Sequence, residues 1–179
     1  MFNHMLIVHL LLSYFILSNM ILFDFNKDSD LSNWKIVDDV VMGGRSDGHF
    51  GINEEGHAVF QGRVSLENNG GFSSVRYFFD QIRIDSYSKI NIRLKGDGKQ
   101  FQFRVKSDKY DRHSYIYYFE TSGGWQTVSV PMSEMEPGFR GRKLDIPNYT
   151  GKFLEEVAIL ISNKKSETFS LIIDKITLE

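Results

Sequence analysis

Lys89-Ile90-Asn91-Ile92-Arg93-Leu94-Lys95-Gly96-Asp97-Gly98-Lys99-Gln100-Phe101-Gln102-Phe103-Arg104-Val105-Lys106 is the stretch that decides how this chain folds. Ile90, Ile92 and Leu94 fall on one phase, with Asn91, Arg93 and Lys95 on the other. After Gly96-Asp97-Gly98 the pattern resumes, with Phe101, Phe103 and Val105 against Gln102, Arg104 and Lys106. Alternation with period two is the mark of a β-strand that buries one face and wets the other. The glycine-flanked aspartate between the two runs is a tight connection. The stretch therefore predicts two short strands, each half-buried, and it excludes a helix at this point.

Working outward, the same signals recur. Strands are expected over 21–25, 34–37, 58–66, 72–79, 115–119, 125–130, 157–161 and 169–178, and the 131–137 segment has room only for a helical turn. Asn68-Asn69-Gly70-Gly71 reads as the turn of a hairpin joining 58–66 to 72–79, and Thr121-Ser122-Gly123-Gly124 as the link of another strand pair. About ten short strands with turns between them point to an all-β antiparallel β-sandwich or jelly roll. No segment of helical period is long enough for βαβ units.

Composition narrows the function. With 179 residues the chain can form one domain with a substantial core, expected over 21–179. A net charge of -2 gives no global basic field for nucleic acid, so no nucleic-acid partner is expected. The absence of cysteine removes disulfides, thiol catalysis and cysteine-ligated metals. The five histidines show no ligand spacing, there is no EF-hand-type spacing, and no metal or cofactor is expected. Residues 1–20 form an apolar leader without charge, short for a membrane span and close to the apolar core of a signal peptide. A translation start at Met20 is the competing reading, and a retained anchor the third. Any membrane association is expected through this leader alone. The location is the bacterial envelope or periplasm if the leader is an export signal, and the cytoplasm otherwise.

Two glycine blocks stand out, Asp38-Asp39-Val40-Val41-Met42-Gly43-Gly44-Arg45-Ser46 and Asn68-Asn69-Gly70-Gly71-Phe72-Ser73-Ser74-Val75-Arg76. Both feed strands rather than helix N-termini, and neither carries a phosphate-loop pattern. Architectural turns are therefore the expected role of Gly43, Gly44, Gly70, Gly71, Gly96 and Gly98. The Asp38-Asp39 pair reads as a turn cap that accepts backbone N–H bonds before it reads as paired catalytic carboxylates. No catalytic residue and no enzyme activity are expected.

Trp34, Asp39, Val41-Met42-Gly43-Gly44 and Ser46, then Asn68-Asn69-Gly70-Gly71-Phe72-x-Ser74-x-Arg76, resemble the complex I intermediate-associated protein 30-kDa family. The resemblance continues through Gly96-Asp97-Gly98, Tyr118-Phe119-x-Thr121, Trp125-Gln126-x-Val128-x-x-Pro131, Phe139-Arg140-Gly141-Arg142 and Phe169-x-Leu171-x-Ile173-Asp174-x-Ile176. One departure is Asp38-Asp39-Val40, where the family usually has Asn-Asp-Gly. The resemblance implies a galactose-binding-like jelly roll in a compact bacterial-type member. It also implies a non-enzymatic protein-binding module, akin to the assembly factors that act as chaperones of respiratory NADH dehydrogenase. The alternative on the same fold is a carbohydrate-binding module of the envelope. A protein partner is thus expected first, and carbohydrate second.

Candidate partner-binding residues are Asp39, Asn68, Asn69, Arg76, Arg104, Arg140 and Arg142. The polar residues of the second block sit beside its turn. Arg76, Arg93 and Arg104 share the polar phase of their strands and would form a cationic stripe if those strands were neighbours. Arg140-Gly141-Arg142 follows Pro137-Gly138 in a loop, where binding residues concentrate. Trp34, Trp125, Tyr115, Tyr117 and Tyr118 could stack on sugar rings, but most such aromatics are core; Trp125, at the start of an alternating strand, reads as core, and of Tyr117 and Tyr118 only one can face inward.

Overall fold

Two antiparallel sheets face each other in the computed structural model, which describes residues 19–179. The expected leader lies outside the described residues except for Asn19 and Met20. The strands are β1 (Met20–Asp24), β2 (Trp34–Asp38), β3 (Asp47–Ile52), β4 (Ala58–Val64), β5 (Ser73–Arg83), β6 (Lys89–Lys95), β7 (Gln100–Lys106), β8 (Ser114–Glu120), β9 (Trp125–Pro131), β10 (Glu136–Phe139), β11 (Arg142–Lys143), β12 (Phe153–Ile161) and β13 (Glu167–Leu178). Single 3-10 turns cover Asp39–Met42, Glu67–Asn69 and Met132–Glu134, the last inside the segment expected to hold only a turn.

One sheet runs β3-β4-β13-β6-β9, with β1 pairing the C-terminal part of β13. The other runs β11-β10-β8-β7-β12-β5-β2. The core lies between them. Ile90, Ile92, Leu94, Phe60 and Leu171 of the first sheet meet Phe101, Phe103, Ile159 and Ile161 of the second, all fully buried. Each such side chain contributes about 1.5–3 kcal/mol by leaving water. Trp34 is core, 6% exposed and stacked on Tyr77 at a centroid distance of 4.7 Å.

The connections differ from expectation. β4 and β5 do not pair, and neither do β8 and β9, so the Asn-Asn-Gly-Gly and Thr-Ser-Gly-Gly turns are not hairpins. Each carries the chain from one sheet across to the other, as do Gly96-Asp97-Gly98 between β6 and β7 and the first glycine block between β2 and β3. The apolar faces of the opening stretch therefore meet across the sandwich instead of lying side by side. Period two fixes which face a strand buries, but an arch between sheets and a hairpin within one both call for glycine-rich turns. All six glycines expected in architectural turns lie in these arches.

Two further expectations change. β3 was not anticipated, because Gly48, His49 and Gly51 dilute its strand signal. Trp125 is not core: it is 39% exposed on the outer face of the β6–β9 pair. Tyr118 is the outward member of its pair at 55% exposure, while Tyr117 packs on the core.

Candidate functional site

The two glycine blocks meet at one end of the sandwich around Asp39, which is fully buried. Its carboxylate accepts the Ser46 backbone N–H at 2.9 Å, the Gly71 N–H at 2.6 Å and the Phe72 N–H at 3.2 Å, and the Ser46 hydroxyl donates to it as well. The same hydroxyl accepts the Ser65 N–H at 3.0 Å, which ties in the end of β4. Burial alone would raise the Asp39 pKa. The hydrogen bonds from Ser46, Gly71 and Phe72 outweigh it and hold the carboxyl below the usual carboxylate range. The turns are shaped to this group. A Cβ on Gly44 would overlap the carboxylate, and one on Gly70 would sit 2.6 Å from Oδ2.

Asp38 does a similar job nearer the surface, accepting the Gly48 N–H at 2.8 Å and the Ser73 hydroxyl at 2.6 Å. Asn68 and Asn69 both have positive φ and are exposed, and the Asn68 amide donates to the Gly43 carbonyl at 3.1 Å. The cluster is thus a knot between blocks. Asp39 offers no surface to a partner, which corrects its place among the binding candidates. Enclosed by donors and fully buried, it lacks the access that acid–base chemistry needs.

The outer face of the seven-stranded sheet is different. Register places Lys35, Arg76, Ala158, Arg104 and Ile116 in one row across β2, β5, β12, β7 and β8. The row on one side holds Phe78, Glu156 and Lys106, and the row on the other Ser74, Leu160, Gln102 and Tyr118. Ala158, Leu160, Gln102 and Glu156 form a buried floor. Arg76 and Arg104 are half-buried walls.

Three cations, Arg76, Lys106 and Arg104, lie around one carboxylate here. Glu156, 3% exposed, lies 3.5 Å from Arg76 Nη1 and 3.6 Å from Lys106 Nζ. Lys106 also donates to the Asp111 carbonyl at 2.9 Å. Arg104 donates through Nε and Nη2 to one neutral acceptor, Gln102 Oε1, at 3.0 and 2.6 Å. Arg76 Nε is buried with no hydrogen-bond partner. Burial pushes the Arg104 pKa down to about 10, with Tyr118 and Glu156 opposing the shift and the Arg76 charge adding to it.

Of the three arginines expected on neighbouring strands, Arg76 and Arg104 share the outer face of one sheet, with Ala158 of β12 between them. Arg93 is not part of that face, since β6 belongs to the other sheet. Arg140 and Arg142 are exposed on the β10–β11 hairpin at the far edge of the seven-stranded sheet, with Arg140 over the Phe139 ring at 5.3 Å. Sequence reasoning missed Glu156. The available signal was a glutamate pair inside the apolar run Phe153–Ile161. On the opposite face of the sandwich, Trp125 has the Arg93 guanidinium 5.5 Å from its ring and His57 edge-on at 4.8 Å, with Asp174 3.6 Å from Arg93.

Residues 23–173 match the profile of the family described as Complex I intermediate-associated protein 30. The mitochondrial Complex I intermediate-associated protein 30 of Mus musculus is 25% identical over 178 residues, covering 86% of this chain and 54% of that protein. The chain thus spans about half the length of this curated relative. Among solved structures, the family 11 carbohydrate-binding module from Clostridium thermocellum in complex with a beta-1,3-1,4-mixed-linked tetrasaccharide superposes with a TM-score of 0.65 at 17% identity, covering 89% of this chain and 94% of that one. The family 11 module of the cellulosomal cellulase Lic26A-Cel5E from the same organism gives 0.67 at 15% identity, covering 90% and 94%. These two likenesses establish the shared jelly-roll sandwich. The chain belongs to the Complex I intermediate-associated protein 30 family.

Proposed function

We propose that the chain is a non-enzymatic binding module of the assembly-factor type, which holds a protein partner on the outer face of its seven-stranded sheet. The observation that carries this reading is the row of Arg76 and Arg104 over a buried floor, with Arg76 Nε unpartnered and Arg104 bonded to the neutral Gln102. Donors held rigid and half-desolvated bind anionic groups more strongly than mobile surface charges do. Family membership supports a partner among the intermediates of respiratory NADH dehydrogenase assembly. Crosslinking followed by pull-down of the tagged full chain from its native host tests the reading. The expected result is a discrete protein adduct that a Glu substitution at Arg76 abolishes. A chain that captures no protein above a tag-only control would sink it.

A second reading, carbohydrate binding, is favoured by one feature, the exposed Trp125 ring flanked by Arg93 and His57. Indole faces stack on sugar rings through the same apolar and CH–π contacts that aromatic residues use elsewhere. A glycan array decides it: a hit abolished by Trp125→Ala establishes it, and an array with no hit removes it.

A further inference from the structure

We propose that the Arg76–Ala158–Arg104 row is a carboxylate-binding subsite, filled by a glutamate or aspartate side chain from an acidic segment of the partner protein. The inference rests on the protein-binding reading and names the chemistry of the same face. Three features of the face support it.

The first is geometry. Arg76 and Arg104 both pair with Ala158, one from each side. Two sheet spacings put their Cα atoms about 9.5 Å apart. A methyl group is all that stands between them, with Arg76 reaching to Glu156 in one flanking row and Arg104 to Gln102 in the other, so two guanidiniums border the Ala158 position from both sides. The second is hydrogen-bond capacity. A guanidinium has five N–H donors. Arg104 uses two of its own on a neutral amide oxygen, and Arg76 leaves its buried Nε unpartnered. The third is charge. Glu156 is the buried carboxylate of these rows and is already divided between Arg76 and Lys106 at 3.5 and 3.6 Å, while Glu136, which continues the central row beyond Ile116 on β10, is held by Lys143. Arg104 has no anion of its own, so the face receives one carboxylate from within and is built to receive another from outside.

The choice of a protein carboxylate over an acidic sugar follows from what lines the rows. Tyr118 is their one strongly exposed aromatic, whereas Trp125 lies on the other side of the sandwich. A sugar chain running along this face would find little ring surface to stack on, while an extended acidic peptide needs only forks and a floor.

The test uses the full chain with 15N-labelled arginine, titrated with acetyl-(Glu)6-amide, acetyl-(Gln)6-amide and trigalacturonate. The acidic peptide is expected to shift the Nε–H signals of Arg76 and Arg104 saturably, and the glutamine peptide is expected not to. Arg104→Gln should weaken binding at least ten-fold. Arg104→Lys keeps the charge but loses the fork, and should weaken it several-fold. Arg93→Gln, on the other sheet, should stay within two-fold of wild type. Equal weakening by Arg93→Gln and Arg104→Gln would reduce the effect to general charge attraction and overturn the subsite. So would trigalacturonate binding more tightly than the acidic peptide, or the absence of any shift. In the pull-down, a partner captured equally by wild type and Arg104→Gln overturns the subsite while the protein-binding reading stands. Saturable peptide shifts with no captured protein overturn that reading instead.

Discussion

Asp39 and Arg104 are both charged side chains drawn into a β-sandwich, and they have opposite fates. Asp39 is enclosed by donors from both glycine blocks, with no exposed surface and an ionised form favoured over its ordinary state. Arg104 is bordered by a second arginine and satisfied in part by a neutral amide, with its charged form disfavoured. A buried ion enclosed by four donors from the fold itself specifies architecture. One with capacity to spare specifies recognition. The two regions also differ in what surrounds them: glycines that cannot accept a Cβ at the knot, and a continuous strand register on the face.

The largest effect should come from Asp39→Ala. It strands three backbone N–H groups and the Ser46 hydroxyl in a buried site, and should destabilise the domain by about 3–5 kcal/mol. The urea midpoint of unfolding measures it. Gly70→Ala tests the same packing without touching the charge, through the 2.6 Å approach of a Cβ to Oδ2, and overpacking of that kind costs about 1–3 kcal/mol. If Asp39→Ala is tolerated within about 1 kcal/mol, well under the 3–5 typical of a broken buried charge network, the comparison collapses.

The acid limb sharpens it further. Asp39 has a lowered native pKa, so its stabilising contribution is complete above the unfolded pKa of about 3.9. It is lost as pH falls from there through the native pKa. Wild type should lose stability faster than Asp39→Asn over that interval, although the variant is the less stable of the two at neutral pH. Other carboxylates with lowered pKa, such as Glu155 held by Lys109, titrate in both proteins and cancel in the difference.

How much of this was legible beforehand depends on which interactions are local. Strand positions were readable because alternation is a property of adjacent residues, and the six turn glycines because they sit next to the strands they connect. Sheet pairing was not readable, since nothing in Gly96-Asp97-Gly98 tells an arch from a hairpin. Asp38 and Asp39 look alike in sequence, and the turn over Asp39–Met42 is what sends one carboxylate inward and leaves the other near the surface. Arg76 and Arg104 were identifiable as outward-facing, but their placement on either side of Ala158 depends on β12, far away in sequence. Glu156 was hidden because a carboxylate in an apolar strand makes sense only once its two cationic neighbours are known.

Glu156→Gln carries the next largest effect. It removes the counter-charge that Arg76 and Lys106 share while keeping the shape. The loss should be about 2 kcal/mol, less than for a fully buried pair, because Arg76 retains 27% exposure and can turn toward water. The variant should also bind acidic peptide more tightly, since two cations are released for it. An unchanged peptide affinity would separate Glu156 from the binding face and leave it a purely structural group.

Arg104→Met should have the smallest effect on stability and the largest on function. Arg104 has no charged partner to strand, and Gln102, the acceptor it would leave, has a flexible amide that can turn to another donor. Replacing a half-buried charge by an apolar chain of similar length is often neutral or stabilising. Its unfolding midpoint should therefore match wild type within about 1 kcal/mol, the size of a single net hydrogen bond, while binding of the acidic peptide disappears. A substantial loss of stability in Arg104→Met would mean that this guanidinium, like Asp39, is a tie in the architecture, and the distinction between the knot and the face would fail at the residue where it is drawn most sharply.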